Sequence, residues 1–539
     1  MHSILSELTP ALHPRRSISL INLTNALGIR FEQKADLNDL DKSIQYCQQI
    51  LELIPSLHSA RSASLTNLAN ALVRRFEQKG DINDLEECIQ YYYQALELTP
   101  APHPSRSLSL SNLAIALGTK FKQKGDFNDL EESIQYHQQA LDLTPAPHPE
   151  RSNALNNLAN TLVTRFQQKG DINDLNNAIT SCKEALNMLP SDHPRQTIAT
   201  TLGHCLVLLY TLDQVPKTLE DAMDAYRIVS MTDTASLLRR FKSAHEWALQ
   251  ADRFHHTSAS EAFQYAINLL PLLASLDMSL HTRQEGLVQT KGFASRACSW
   301  AIRSGRLETA VEYLSAARAI FWSQALSLRT PLDDLEAVDS ALAKRLQGIA
   351  SELEYAAHRT SSSYNWLTDY GKEMDSVAKH CRYLSEQWNS VLKQVRKLPG
   401  FEDFLLPAPF SKIHKAALNG PIVLLNADET GCDALLVDTD GVQHIPIPNL
   451  TLGHINALSW ITQEALVSKG MHANLGGHGV TVETDLPWTW LEHAQNRKIS
   501  RVPDIGQSPE DKFHFVLKVL WFAIATPIVE ILNLKVSIF

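Results

Sequence analysis

A mainly helical fold, a right-handed solenoid of stacked helix pairs followed by a smaller α/β region, is what three features of the sequence predict. The first is one unit copied nearly unchanged at a 45-residue step. Arg16-Ser17, Arg61-Ser62, Arg106-Ser107 and Arg151-Ser152 mark it, as do Asn22, Asn67, Asn112 and Asn157, and Phe31, Phe76, Phe121 and Phe166. Asp39, Asp84, Asp129 and Asp174 keep the same step, and so do Pro55, Pro100, Pro145 and Pro190. A period of this length marks stacked supersecondary units, each too small to bury its own apolar face. The second feature is helical periodicity inside each unit. The third is a change to strand-like patterning near the C-terminal end.

Each unit reads as two helices. In the second copy Leu65, Leu68, Leu72 and Phe76 lie at i, i+3, i+7 and i+11, one apolar stripe. Gly80 then supplies a stop, with Ala35 in its place in the first copy. Asp84-Leu85-Glu86-Glu87 opens the next helix, where Asp84 is expected to cap and Glu87 to return the bond. Asp129 and Glu132 repeat this box; Lys42 and Asn177 break it. Leu85, Ile89 and Leu96 continue an apolar face and Pro100 closes the helix. Cys88, at the position held elsewhere by Ser43, Ser133 and Ala178, is expected to be a small packing residue.

From Gln196 the strict repeat decays while helical patterning persists. Gly305 to Leu314 reads as another degenerate helix boundary, a long helix is expected through Ala316 to Gln324, and 333–397 as mostly helical with a break at Ser361-Ser362-Ser363. Pro399-Gly400-Phe401 opens a different region. Pro421 to Asn426, Asp433 to Asp438 and Val442 to Ile447 read as strands, with Asp440-Gly441 a strong hairpin signal. Residues 451–470 and 508–533 follow as helices, and Lys535 to Phe539 as the start of a strand. The organisation is therefore a repeat array at 1–195, a degenerate helical connector at 196–398 and a different domain at 399–539.

Composition narrows the function. Hydrophobic residues make up 44% and charged residues 20%, as in an ordinary folded chain. The net charge is −10 with both signs interspersed, and no basic stripe argues for a nucleic-acid partner. Seven scattered cysteines without a C-x-x-C favour reduced thiols and a cytoplasmic location. The N-terminus has no signal-peptide pattern. The apolar run Val519 to Val529 lies between Lys518 and Glu530. It is shorter than the roughly 20 residues a bilayer needs, so a buried helix is expected and no membrane partner. Phosphate-cradling motifs are absent, Gly476-Gly477-His478-Gly479 is only a flexible-loop signal, and no cofactor is expected. His13, His58, His103, His148 and His193 recur beside proline. Equivalent residues on packed helices sit about 8–10 Å apart, whereas zinc nitrogens lie about 2.0–2.1 Å from the ion. A turn into the next helix explains the motif, and no metal is expected.

The candidate binding residues are asparagines. Asn67 and Asn70, Asn112, and Asn157 and Asn160 share one helical face. Asparagine is a poor helix former, so its repeated use inside a helix points to contact with a ligand. Capping of neighbouring backbone, or plain solvent exposure, is the alternative.

These repeats resemble the tetratricopeptide (TPR) class in a lengthened form, and Leu65 to Leu72 resembles the first helix of kinesin-light-chain-type repeats. That resemblance implies a groove lined by the first helices, with asparagines bonding a peptide backbone. Glu7 to Pro14 aligns with Glu97 to Pro104, so the chain is expected to begin inside a second helix, cut short of its partner. Leu328 to Leu335, Arg396 to Phe401, Gly420 to Asn426 and Cys432 to Leu435 resemble the TPR–CHAT proteins abundant in fungi, whose CHAT domain is a caspase-like cysteine peptidase. The resemblance implies a His–Cys dyad in segments that would follow Phe539. Cys432 matches no nucleophile position, so no catalytic residue is expected in this chain, and 399–539 is expected to be the front part of such a domain. Two functions follow: a protein–protein interaction scaffold or sensor, or a fragment of a TPR-regulated caspase-like peptidase. Oligomeric state is not legible.

Overall fold

The computed structural model describes residues 16–34, 37–54, 60–100, 103, 105–148, 150–189, 196–232, 235–273, 288, 290–318, 332–361, 383–384, 387–388, 390–402, 404–405, 409–468 and 508–532. Two compact units divide inside the stretch 196–398, one built mainly from 1–269 and the other from 286–358 and 380–539.

The first unit is a solenoid of helix pairs: α1 Arg16–Lys34 with α2 Leu37–Leu53, α3 Ala60–Lys79 with α4 Ile82–Glu97, α5 Arg106–Lys124 with α6 Phe127–Asp142, and α7 Arg151–Lys169 with α8 Ile172–Met188. The less regular pairs α9 Gln196–Asp213 with α10 Pro216–Met231, and α11 Leu237–Arg253 with α12 Ala259–Leu273, continue the pattern. Leu65, Leu68, Leu72 and Phe76 are buried as their spacing predicts, and Leu85, Ile89 and Leu96 close over them from α4. Cys88 is buried, and Ser43, Ser133 and Ala178 are buried in the equivalent places. The six described cysteines carry free thiols; Cys381 lies outside the described residues.

The turn between the two helices of a pair is the same in three copies. Gly80, Gly125 and Gly170 adopt φ of 71°, 74° and 73°, a left-handed conformation open to glycine without strain. Each donates its N–H to the phenylalanine carbonyl four residues back, at 2.7 Å. The equivalent Ala35 lies outside the described residues. The expected capping box at Asp84 is not formed. The side chain of Asp81 caps α4 by accepting from Asn83 N–H at 3.0 Å, and Asp126 and Asp171 do the same for α6 and α8. Asp84, one turn inside, is instead buried against Arg75, which donates Nε to Oδ2 at 2.8 Å and Nη2 to Oδ1 at 2.6 Å. A cap must sit at the helix boundary; here the preceding aspartate takes that place, and the buried one takes an ion pair.

The turn between pairs explains the Arg-Ser mark. Arg61 Nη1 donates to the carbonyls of Leu51 and Ile54, Arg106 to Leu96 and Thr99, and Arg151 to Leu141 and Thr144, at 2.7–3.4 Å. Each guanidinium adds a donor to carbonyls at the end of the preceding helix, where Leu96 O and Leu141 O also accept the N–H of Thr99 and Thr144, at 3.2 and 3.1 Å. Arg240 Nε reaches Ser230 O, also ten residues back, at 3.0 Å, so the device outlasts the strict repeat. His103 and His148 accept through Nδ1 the backbone N–H of the residue two on, both at 3.1 Å, which shapes the same turn.

In the second unit, α13 Phe293–Arg303 and α14 Leu307–Arg318 form a hairpin around Gly305, as its sequence suggests. The expected continuation of that helix to Gln324 lies outside the described residues. Helices α15 Asp333–Val338 and α16 Ser340–Ser361 bury Leu335, Ala343 and Leu346 against Trp388, Val391 and Val395. Short α17 Phe410–Ile413 leads to strands β1 Ile422–Asp428, β2 Gly431–Val437 and β3 Val442–Pro446, in antiparallel order β1-β2-β3. Asp438 accepts the N–H groups of Asp440 and Gly441 at 2.8 and 3.0 Å, which builds the anticipated second hairpin. Cys432, Ala434 and Leu436 point to one face and pack with α18 Leu452–Ser468 and a last helix, α19, running from Pro509 to Ile531 with a π turn at Trp521–Ala525.

Helix α19 departs from the buried helix expected around Val519 to Val529. Phe515, Val516, Val519 and Ala523 enter the core, but Leu517, Leu520, Trp521 and Ile531 are exposed. By length and composition alone α19 is long and apolar enough to cross a membrane, and among the described residues no other helix is. The expected strand at 535–539 lies outside the described residues.

Candidate peptide-binding face

The first helix of each pair packs inward through its leucine stripe and leaves another stripe outward. On α3 that stripe holds Ala63, Asn67 and Asn70; on α5, Leu108, Asn112 and Ile115; on α7, Asn153, Asn157 and Asn160. Successive residues sit at i, i+4 and i+7, which keeps them on one side of the helix. Successive first helices, α5 with α7 and α7 with α9, approach more closely than successive second helices do. The stripes of α5 and α7 therefore lie side by side, and the Asn160–Thr201 bond continues the surface to α9.

The five asparagines divide into two groups. Asn70 accepts the buried Tyr92 hydroxyl at 2.6 Å, within its own pair. Asn160 accepts from Thr201 Oγ1 at 3.3 Å, across to α9. Both side chains are at least partly occupied in holding the array. Asn67, Asn112 and Asn157 are half-buried, one per pair, and their amides have no side-chain or backbone partner among the described residues. A half-buried amide with a donor and an acceptor open can bond a peptide backbone in both directions.

Charge is arranged next to this surface and largely cancelled there. Lys79 and Arg75 reach Asp41 on the previous pair at 3.5 and 3.0 Å, Lys169 and Arg165 reach Glu131 at 2.6 and 2.7 Å, and Lys124 pairs with Glu86. The Lys169 and Arg165 bonds hold the Glu131 carboxyl below its usual range despite partial burial. Burial opposes the same lowering at Asp41, and the bonds from Arg75 and Lys79 outweigh it. Sequence reasoning missed this ladder. Its signal is the Arg30, Arg75, Lys120, Arg165 series, nine residues before each repeated aspartate and at the same step. Leu108 and Ile115 were missed as well, although their spacing from Asn112 was readable.

No catalytic arrangement centres on Cys432. It is buried in the sheet, and burial, then the neighbouring charges of Asp433 and Asp428, push its thiol up to about 11. A nucleophilic cysteine needs the opposite shift. Among the described residues no three His, Cys, Asp or Glu side chains gather as a metal site.

Stacked helix pairs joined by a repeated turn make the first unit a helical repeat array of tetratricopeptide-like architecture. The tetratricopeptide repeat family model matches residues 152–195. No curated protein matches the sequence. Among solved structures, the TPR-like repeats assigned to a kinesin light chain of Podosopora anserina are 19% identical, covering 41% of this chain and 99% of that one, with a TM-score of 0.30. A point variant of the same repeats gives 19%, 41%, 100% and 0.31. A circular tandem repeat protein with novel repeat topology is 15% identical, covering 70% of this chain and 97% of that one, with a TM-score of 0.21. With TM-scores this low, the repeat assignment rests on the family match and the geometry of the chain itself.

Proposed function

We propose that the first unit is a peptide-binding scaffold whose ligand lies across α3, α5 and α7 and is held by Asn67, Asn112 and Asn157, with Asn70 and Asn160 fixing the surface beneath it. The observation that carries this reading is the division among the asparagines: two are spent on the array, and three repeat at the same place with open amides. A helix interior gains nothing from asparagine there, since the residue costs propensity and packs little. The test is selection of phage-displayed dodecamers on the full chain, followed by calorimetry with a selected peptide. The Asn67→Ala, Asn112→Ala, Asn157→Ala triple variant is expected to bind at least tenfold more weakly, about the loss of one to two net hydrogen bonds. Undiminished binding would refute the reading.

The second unit supports a second reading, that of a caspase-like CHAT domain regulated by the repeats. Its support is the stretch of residues quoted above together with a small α/β layer at the same place in the chain. Reading the transcript past codon 539 tests it: a His-Ala-Ala-Gly segment followed by a cysteine segment favours the peptidase fragment, and a stop codon there opposes it. A cytoplasmic location remains part of this proposal, and fluorescent tagging of the full chain would check it.

A further inference from the structure

The outer stripe is not uniform. At the position of Leu108 the neighbouring helices carry Ala63 and Asn153, and at that of Ile115 they carry Asn70 and Asn160. Packing therefore does not require an aliphatic residue at either place. Yet Leu108 is 56% exposed and Ile115 46%, one on each side of Asn112, on the middle helix of the three. Two large aliphatic groups set in water beside a half-buried amide form a small apolar seat with a polar clamp in its centre. Peptide sites are built this way, with apolar contact for a side chain and polar groups for the backbone.

Charge decides what the seat accepts. Arg75, Lys79, Lys120, Lys124, Arg165 and Lys169 would be the natural holders of an acidic ligand, but each is engaged by a carboxylate of a second helix. An acidic peptide would have to compete with partners already built in. The stripe of α5 from Leu108 to Thr119 has no charged member on the outer face. An ionic side chain placed there would lose water and gain no counter-charge.

We propose that the ligand of this face is an extended peptide of low net charge that seats one large apolar side chain between Leu108 and Ile115. This rests on the peptide-binding reading above and adds the chemistry of the ligand. Packed helices repeat about every 8–10 Å, and an extended chain advances about 3.3 Å per residue. Successive asparagines would then meet the ligand backbone about every third residue, with the apolar anchor near its middle.

The selected dodecamers and the full chain provide the test. Peptides recovered on the wild-type chain are expected to share a Leu, Ile, Met or aromatic residue at one central position and to lack acidic clusters. The Leu108→Ser, Ile115→Ser variant, changed only at exposed positions, should bind such a peptide about tenfold more weakly, the loss of part of one buried apolar side chain. Replacing the anchor of the peptide with Ser should have the same effect on wild type and almost none on the variant. If peptides bind through the asparagines but are enriched in acid, or ignore the Leu108→Ser, Ile115→Ser change, the apolar seat is wrong and the scaffold reading survives. If no peptide is recovered, or binding ignores the three asparagines, both readings fall.

Discussion

Lys120 Nζ meets Asp129 Oδ1 at 2.7 Å and leaves Oδ2 of that carboxylate buried without a partner. In the second and fourth copies the same place is filled by Arg75 and Arg165, which bind both oxygens of Asp84 and Asp174 and also reach a carboxylate on the preceding pair. A point-charge ammonium cannot reproduce the fork of a guanidinium. Lys120→Arg is therefore expected to supply the missing donor to Asp129 and a second one toward Glu86. Calorimetric unfolding should show a gain of about 0.5–1.5 kcal/mol, the net worth of one such bond. The reverse change, Arg75→Lys, should cost at least as much. A lower transition temperature for Lys120→Arg would show that the third copy is packed around lysine.

The second helix of that copy carries an acid sensitivity. His137 is buried, its Nδ1 lacks a partner, and burial lowers its pKa from 6.5 to about 4. The unfolded chain then binds more protons than the folded one between those values. Stability should be full above about 6.5 and fall as pH drops toward about 4, by a few kcal/mol at most. The equivalent residues are Cys47, Tyr92 and Cys182, all buried. His137→Cys is expected to flatten the acid limb of the unfolding midpoint between pH 4 and 6.5 while changing little at pH 8. Parallel acid limbs for the two proteins would assign the effect elsewhere.

Arg106 joins neighbouring pairs by hydrogen bonding rather than by apolar burial. Its Nη1 holds Leu96 O and Thr99 O, and Thr99 is fully buried. Arg106→Leu would leave these carbonyls at the end of α4 short of a donor, a cost of about 1–3 kcal/mol. Hydrogen exchange should speed up at 96–99 and in the first turn of α5, where Arg106 begins the helix. Arg106→Lys should recover only part of the loss, because one ammonium on a flexible stem is a poorer fit to two fixed carbonyls.

What could be read from the sequence follows from how local each feature is. The leucine stripes, the stop at Gly80 and the three strands depend on spacing within a few residues, and they stand where that spacing put them. Asp84 was misjudged as a cap because two aspartates, Asp81 and Asp84, compete for the same helix start, and only the pairing with Arg75 nine residues back decides between them. The split among the asparagines was hidden for a similar reason. Asn70 and Asn160 are defined by Tyr92 and Thr201, which lie 22 and 41 residues further along. The exposed side of α19 was misread because an apolar run reports that burial is affordable, not that a neighbour exists to provide it.

In the second unit a buried amide joins the sheet to the helical hairpin, beside the Arg303 Nη1 bond to Thr430 Oγ1 at 2.9 Å and the Arg296–Asp428 pair at 3.6 Å. Asn426, on β1, donates Nδ2 to Ser299 Oγ at 2.9 Å and to Ser295 O at 3.1 Å, both on α13, and the side chain is buried. Asn426→Ala removes both bonds and should lower the stability of this unit by about 1–3 kcal/mol. Hydrogen exchange should rise together in 422–437 and 293–303, with residues 60–189 unaffected. Asn426→Asp should be worse near neutral pH, since it places a carboxylate against a carbonyl and a hydroxyl in a buried site. Burial raises the pKa of such an acid, so below that pKa the protonated form can donate again and recover part of the loss. The aspartate variant should thus be more stable at about pH 5 than at pH 8, measured against the alanine variant as reference. Equal stability of the two variants at both pH values would mean that position 426 opens to water and that the other contacts hold the sheet to the hairpin.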